Sequence, residues 1–137
     1  MKNIVILITA IIILLLGLSQ FFVPNMTTAK KEANEYQASI ACRTIQEACE
    51  MYKKVYGDYP NDLEILGRDS HGFLSKELSK GKTLGYNYYY ERTQKGFSLT
   101  ALPLRMQETG RFIFYLDETG RMTACDKNSS CAAIGEN

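Results

Sequence analysis

The sequence predicts an α+β chain: one long N-terminal helix whose rear half packs on a small antiparallel sheet. Three observations predict it. Ile4 to Val23 is an apolar run of twenty residues without a charge. From Asn25 to Tyr56 the chain turns polar yet keeps a helical rhythm, which stops at Gly57-Asp58-Tyr59-Pro60. Beyond Leu84, short runs rich in tyrosine, phenylalanine and leucine alternate with turn signals, the pattern of strands.

Composition narrows the function classes. Of 137 residues, the 23 of Met1–Val23 leave 114, which suits one modest core. Sixteen Lys+Arg against fifteen Asp+Glu give a net charge of +1, so nucleic acid has no electrostatic footprint here. The sequence holds no nucleophile elbow, P-loop or dinucleotide fingerprint. His71, beside Asp69 and Ser70, reads as a loop histidine, because a catalytic triad is a spatial arrangement and not a run of neighbours. No catalytic constellation is expected, nor a small-molecule substrate.

The apolar run, residues 1–23, reads as a transmembrane anchor. Twenty helical residues span about 30 Å, the thickness of a bilayer core. A signal peptide has a shorter apolar region and a small-residue cleavage site directly after it. Here the nearest such site, Thr27-Thr28-Ala29, lies well past the run. A wholly buried soluble helix fits poorly, since so small a domain could hardly surround it. Ile4, Leu7, Ile11, Leu14, Leu18, Phe21 and Phe22 are the candidate membrane and assembly residues. Lys2 before the run and Lys30 and Lys31 after it leave the orientation undecided by charge.

Pro24-Asn25 interrupts the run, and a bend is expected there. Residues 24–56 form the amphipathic rear of the helix. Cys42, Ile45, Cys49, Tyr52 and Tyr56 recur at steps of three, four, three and four, a single stripe expected to face the sheet together with Leu99, Phe112 and Phe114. Ala29, Ala33, Tyr36 and Ile40 are expected to continue it upstream. Residues 57–137 form the globular head. Asn61-Asp62 caps a short helix carrying Leu63, Ile65 and Leu66, and Phe73–Lys80 gives another helical turn or two. Four strands follow: Leu84–Glu91, Phe97–Leu102, Arg111–Leu116 and Arg121–Cys125. The tail Asp126–Asn137 reads as loop.

The ordered series of motifs resembles the type IV pilin and pseudopilin superfamily, most closely the major pseudopilin of type II secretion systems. Ile45-Gln46-Glu47-Ala48-Cys49-Glu50-Met51-Tyr52, Gly57-Asp58-Tyr59-Pro60, Leu63 and Leu66 are similar to its helix signature. Gly85-Tyr86-Asn87-Tyr88, Phe97-Ser98-Leu99-Thr100-Ala101 with Pro103, Thr109-Gly110-Arg111-Phe112-Ile113-Phe114 and Asp117-Glu118-Thr119-Gly120-Arg121-Met122 are similar to its strand region. The resemblance covers about residues 26–124. It implies a non-enzymatic structural subunit of a secretion pseudopilus or pilus-like filament, single-pass in the inner membrane, with a periplasmic or extracellular head. Its implied partners are the membrane, other pilin-like subunits and the secretion machinery. The competing reading is a membrane-anchored extracytoplasmic binding or assembly module that does not polymerise.

The N-terminus departs from the family. Only Met1-Lys2-Asn3 precedes the apolar run, and Gly17 is followed by Leu18 where the family has phenylalanine. The fifth residue after Gly17 is Phe22 where the family has glutamate, and no acid occurs before Glu32. Peptidase processing and glutamate-guided docking therefore do not carry over.

Four cysteines allow one or two disulfides. Cys42 and Cys49 lie about 10 Å apart along one helix face and cannot bridge each other. They read as small buried apolar residues, as partners for the C-terminal pair, or as metal ligands. The five-residue spacing of Cys125 and Cys131 permits a loop-closing bridge, which would resemble the C-terminal disulfide loop of many pilins. The resembled pseudopilins also bind calcium near that loop, where Asp117, Asp126, Asn128 and Ser129 offer oxygen. No ligand motif is present, and solvated turn residues are the simpler reading.

Overall fold

The structure is a computed structural model that describes residues 2–68, 72–83 and 85–134 and, within them, every side chain but those of 2, 3, 5 and 17–26. The chain forms two compact units, Met1–Lys30 and Lys31–Asn137. Helix α1 (Lys2–Tyr56) begins in the first unit and ends in the second. It runs on through Pro24 and Asn25, so the proline does not end it. A proline inside a helix removes one hydrogen bond, and the turns on either side carry the helix across.

From Ile4 to Leu16 the first unit shows apolar side chains on all sides of the helix. Ile4, Leu7, Ile8, Ile11, Leu14 and Leu15 are all exposed, Leu14 by 65%. One polar group among them, the Thr9 hydroxyl, donates back to Ile6 O at 2.9 Å and so hides its polarity within the helix. Among the described residues, however, no helix is long and apolar enough to cross a membrane. The expected single-pass inner-membrane location, with its periplasmic or extracellular head, is corrected on that ground. A span needs about twenty apolar residues, and the apolar side chains that are described run from Ile4 to Leu16. Leu18, Phe21 and Phe22 lie outside the described side chains.

In the second unit, α1 is amphipathic as expected from Cys42 to Tyr52. Cys42, Ile45, Ala48 and Cys49 are fully buried in one core with Leu99, Phe114 and Leu116, and Tyr52 and Phe112 are half-buried against it. Upstream the stripe takes a different course. Ala33, Tyr36 and Ile40 face solvent, Tyr36 by 66%, and the buried positions are Glu35, Ala38 and Ala41. A 3.6-residue turn carries the Cys42 face back through residues 38 and 35, not through 40 and 36. Tyr56 is also half-exposed, at the helix end, with its ring against Tyr52 and Phe73. Gly57, at φ +86°, then takes the left-handed turn that closes the helix.

Two single-turn helices follow, each started by a side-chain cap. Asp62 caps α2 (Leu63–Leu66) by accepting from Ile65 N at 2.9 Å. Ser75 caps α3 (Lys76–Ser79) by accepting from Leu78 N. The sheet is a six-stranded antiparallel meander: β1 (Lys82–Thr83), β2 (Tyr86–Arg92), β3 (Phe97–Pro103), β4 (Ile113–Asp117), β5 (Met122–Cys125) and β6 (Cys131–Ile134), neighbours in that order. The expected four strands are present within two residues at each end. β1 and β6 are additional, and β6 occupies Cys131–Ile134 of the tail expected to be loop, while residues 126–130 are the turn before it. Register sets the faces. Tyr88 pairs with Ala101, Ala101 with Phe114 and Phe114 with Ala124. This row, with Leu99 and Leu116, forms the inner face, and Tyr89, Thr100 and Tyr115 form the outer one.

Polar clamps hold α1 to the loops at the sheet's rims. Glu35 is buried and receives the N–H of Arg111 at 2.7 Å, its Nε at 3.0 Å and a terminal guanidinium nitrogen at 2.8 Å. Asn34 donates to Thr109 O at 2.9 Å and Arg43 to Gly120 O at 2.6 Å. Truncation separates the two faces of α1. Ile45→Ala should cost about 3 kcal/mol in urea unfolding, whereas Tyr36→Ala should change stability by less than about 0.5 kcal/mol. Glu35→Ala should cost about 2 kcal/mol, because it leaves the Arg111 amide and half-covered guanidinium without their acceptor.

Candidate functional site

The candidate assembly residues Ile4, Leu7, Ile11 and Leu14 share a helix with Ile6, Ile8, Ile12, Ile13, Leu15 and Leu16, all exposed. A helix that is apolar all round has no face suited to water. Covering one such side chain gains about 1.5–3 kcal/mol, so the segment has a strong drive to be covered.

The head carries the remaining candidates. Cys125 and Cys131 form a disulfide that closes the β5–β6 hairpin. Cys42 and Cys49 are free and buried, which fits the small-apolar reading among those left open. Burial pushes each thiol up to about 12, with Arg43 pulling Cys42 slightly back and Glu50 raising Cys49 further. Neither is a reactive thiolate near neutral pH.

The calcium candidates are not brought together. Asp117 follows the Leu116–Met122 pair, and Asp126 follows Cys125 at the Ile113 end of the same hairpin. Five residue steps of strand separate them, about 17 Å. Each carboxylate is also used locally. Asp117 Oδ1 accepts from the Thr119 hydroxyl and from Thr119 N, and the hydroxyl bond above all holds it below the usual carboxylate range. Asp126 Oδ1 accepts from Asn128 N at 2.8 Å and Ser130 N at 3.0 Å, so Asn128 contributes its backbone to the turn. Among the described residues, no three His, Cys, Asp or Glu side chains are grouped to hold a metal. His71, Asp69 and Ser70 lie outside the described residues.

The tyrosines divide as strand alternation requires. Tyr86, Tyr88 and Tyr90 point inward, and each hydroxyl is bonded: Tyr86 to Phe112 O, Tyr88 with Thr83 and Tyr90 to Pro60 O. Burial raises all three, Tyr88 to about 12. Tyr89 is exposed on the outer face.

Two features escaped the sequence. The Glu35–Arg111 clamp joins positions 76 apart, and only the fold brings them together. The edge strand β6 gave one signal, the uncharged Cys131-Ala132-Ala133-Ile134 directly after a turn. Beside it lies an apolar groove of about 500 Å³, lined by Tyr36, Phe112, Phe114, Ala124, Ala132 and Ile134. Glu32 and Asp126 stand at the same groove. Compared with known proteins, the chain matches no family model, no curated sequence and no solved structure.

Thiol chemistry checks the cysteine assignment. Under native, mildly alkaline conditions iodoacetamide should modify none of the four cysteines. In denaturant without reductant it should modify two, Cys42 and Cys49. Peptide mass spectrometry reads both outcomes, and native labelling of Cys49 would contradict its burial.

Proposed function

We propose that this chain is a non-enzymatic structural subunit of a pilin-like filament, of the type II secretion pseudopilus or type IV pilus kind. It assembles with copies of itself and with other pilin-like subunits through its N-terminal helix. One observation carries the reading: the all-round apolar helix surface from Ile4 to Leu16, borne by a chain whose other unit has a complete core of its own. Apolar helices packed side by side remove that surface from water, and the heads need not change to allow it. The α+β arrangement of a long helix and an antiparallel meander is consistent with the resembled superfamily.

A module that does not polymerise is the competing reading. It is favoured by one feature, the lack of any acid before Glu32, where the resembled family places a docking glutamate. Single cysteines introduced at Ile6, Ile8, Ile11 and Leu15, on a background with Cys42 and Cys49 replaced by alanine, discriminate the two. Oxidation of the assembled protein should give ladders of dimers and higher oligomers whose yield varies with helical period. Monomers at every position would sink the filament reading.

A further inference from the structure

The two edges of the sheet are treated differently. β1 is two residues long, carries Lys82 and lies against α3, all devices that blunt an edge. β6 has four residues, all exposed, without charge or proline, and the Cys125–Cys131 disulfide ties it to β5. Among the described residues nothing pairs with its outer side.

The register shows which backbone groups face outward. Asp126 N donates to Ser130 O at 2.9 Å, and hydrogen-bonded pairs alternate along an antiparallel ladder. Ala124–Ala132 and Met122–Ile134 are therefore the bonded pairs, and Cys131 and Ala133 direct their N–H and C=O away from β5. The side chains of Ala132 and Ile134 line the apolar groove. An added strand would thus find backbone partners at Cys131 and Ala133 and an apolar recess for its inward side chains. Glu32, Glu35 and Asp126 stand at the same recess against one guanidinium, that of Arg111, which bonds Glu35 and lies 3.9 Å from the exposed Glu32, so negative charge is in excess there.

We propose that the β6 edge and its groove form a docking site for an extended segment of a partner protein, apolar at alternate positions and basic at its ends. The main-chain ladder supplies affinity, and the groove and its carboxylates supply selectivity. A second copy's β6 is a poorer occupant, because Cys131–Ile134 carries no basic residue to meet Glu32 or Asp126. The site does not require polymerisation, and its test is independent of the helix crosslinks.

The full chain, kept in solution with non-ionic detergent, is titrated with a short synthetic peptide. The peptide alternates valine and threonine and carries an arginine at each end. Fluorescence anisotropy reads binding, and amide hydrogen exchange reads its location. Saturable binding with slowed exchange at Cys131 and Ala133 is expected. Ala133→Pro removes an outward N–H without touching the β5 ladder, and should weaken binding roughly tenfold or more. Glu32→Gln should weaken it about two- to fivefold, with the loss fading at high salt. If Ala133→Pro does not fold, Ile134→Asp, which sets a carboxylate in the groove, replaces it with the same expected loss. Unchanged affinity in these variants overturns the site, as does equal binding of a peptide with glutamates for the arginines. Absence of peptide binding overturns it too. Self-association that Ala133→Pro abolishes, with no peptide bound, assigns the edge to a second copy and overturns the partner segment.

Discussion

The burial of one face of α1 against the inner face of the sheet governs the head. That contact joins small residues to large ones. The helix contributes Ala38, Ala41, Cys42, Ala48 and Cys49, with Ile45 as the one bulky apolar residue among its described buried positions. The sheet contributes Tyr86, Tyr88, Phe97, Leu99, Phe114 and Met122. Small side chains let the helix backbone come close, and the large rings then fill the space at crystal-like density. The two free cysteines belong to this pattern. Each is a compact, fully buried apolar residue of the helix–sheet contact.

Close approach creates a second demand at the rims, where polar loops meet the helix. Glu35 faces the same side as the core stripe but lies one turn before it, where the helix leaves the apolar rings and meets the Leu104–Arg111 loop. A carboxylate there stays hydrogen-bonded only because Arg111 presents both its amide and its guanidinium. The same loop requires Gly110, since a Cβ at that position would stand 2.1 Å from the Tyr86 hydroxyl. Tyr86 in turn donates to Phe112 O at 2.9 Å. The loop is thus fixed by helix and sheet together, which orients the entry into β4 and the groove beside β6.

Much of this was legible in the residues. The stripe from Cys42 to Tyr52, the stop at Gly57, the Asp62 cap and the four central strands follow from local rules that the fold leaves intact. The failures have physical causes. Ala33, Tyr36 and Ile40 are apolar at helical spacing, but α1 has a second apolar face, and spacing alone cannot say which face meets the sheet. β6 is too short and too small in side chain to announce itself as a strand; its pairing comes from the disulfide-closed turn and the waiting edge of β5. Asp117 and Asp126 are near in sequence, yet a hairpin carries them to opposite ends. For the apolar run, the single-pass assignment rested on a count of residues, and the described side chains do not extend far enough to sustain it.

The two units follow different energetic rules. Among the described residues, the buried apolar core lies between Ala38 and Cys125, within the second unit. The head therefore holds its fold with its own apolar surface, and the helix from Ile4 to Leu16 adds nothing to that core. A segment with a polar face could rest in water; the described surface from Ile4 to Leu16 has none, so each side chain that is covered lowers its free energy. That drive to be covered is the physical basis of the assembly role proposed for the helix from Ile4 to Leu16, and it is separate from the packing that holds the head.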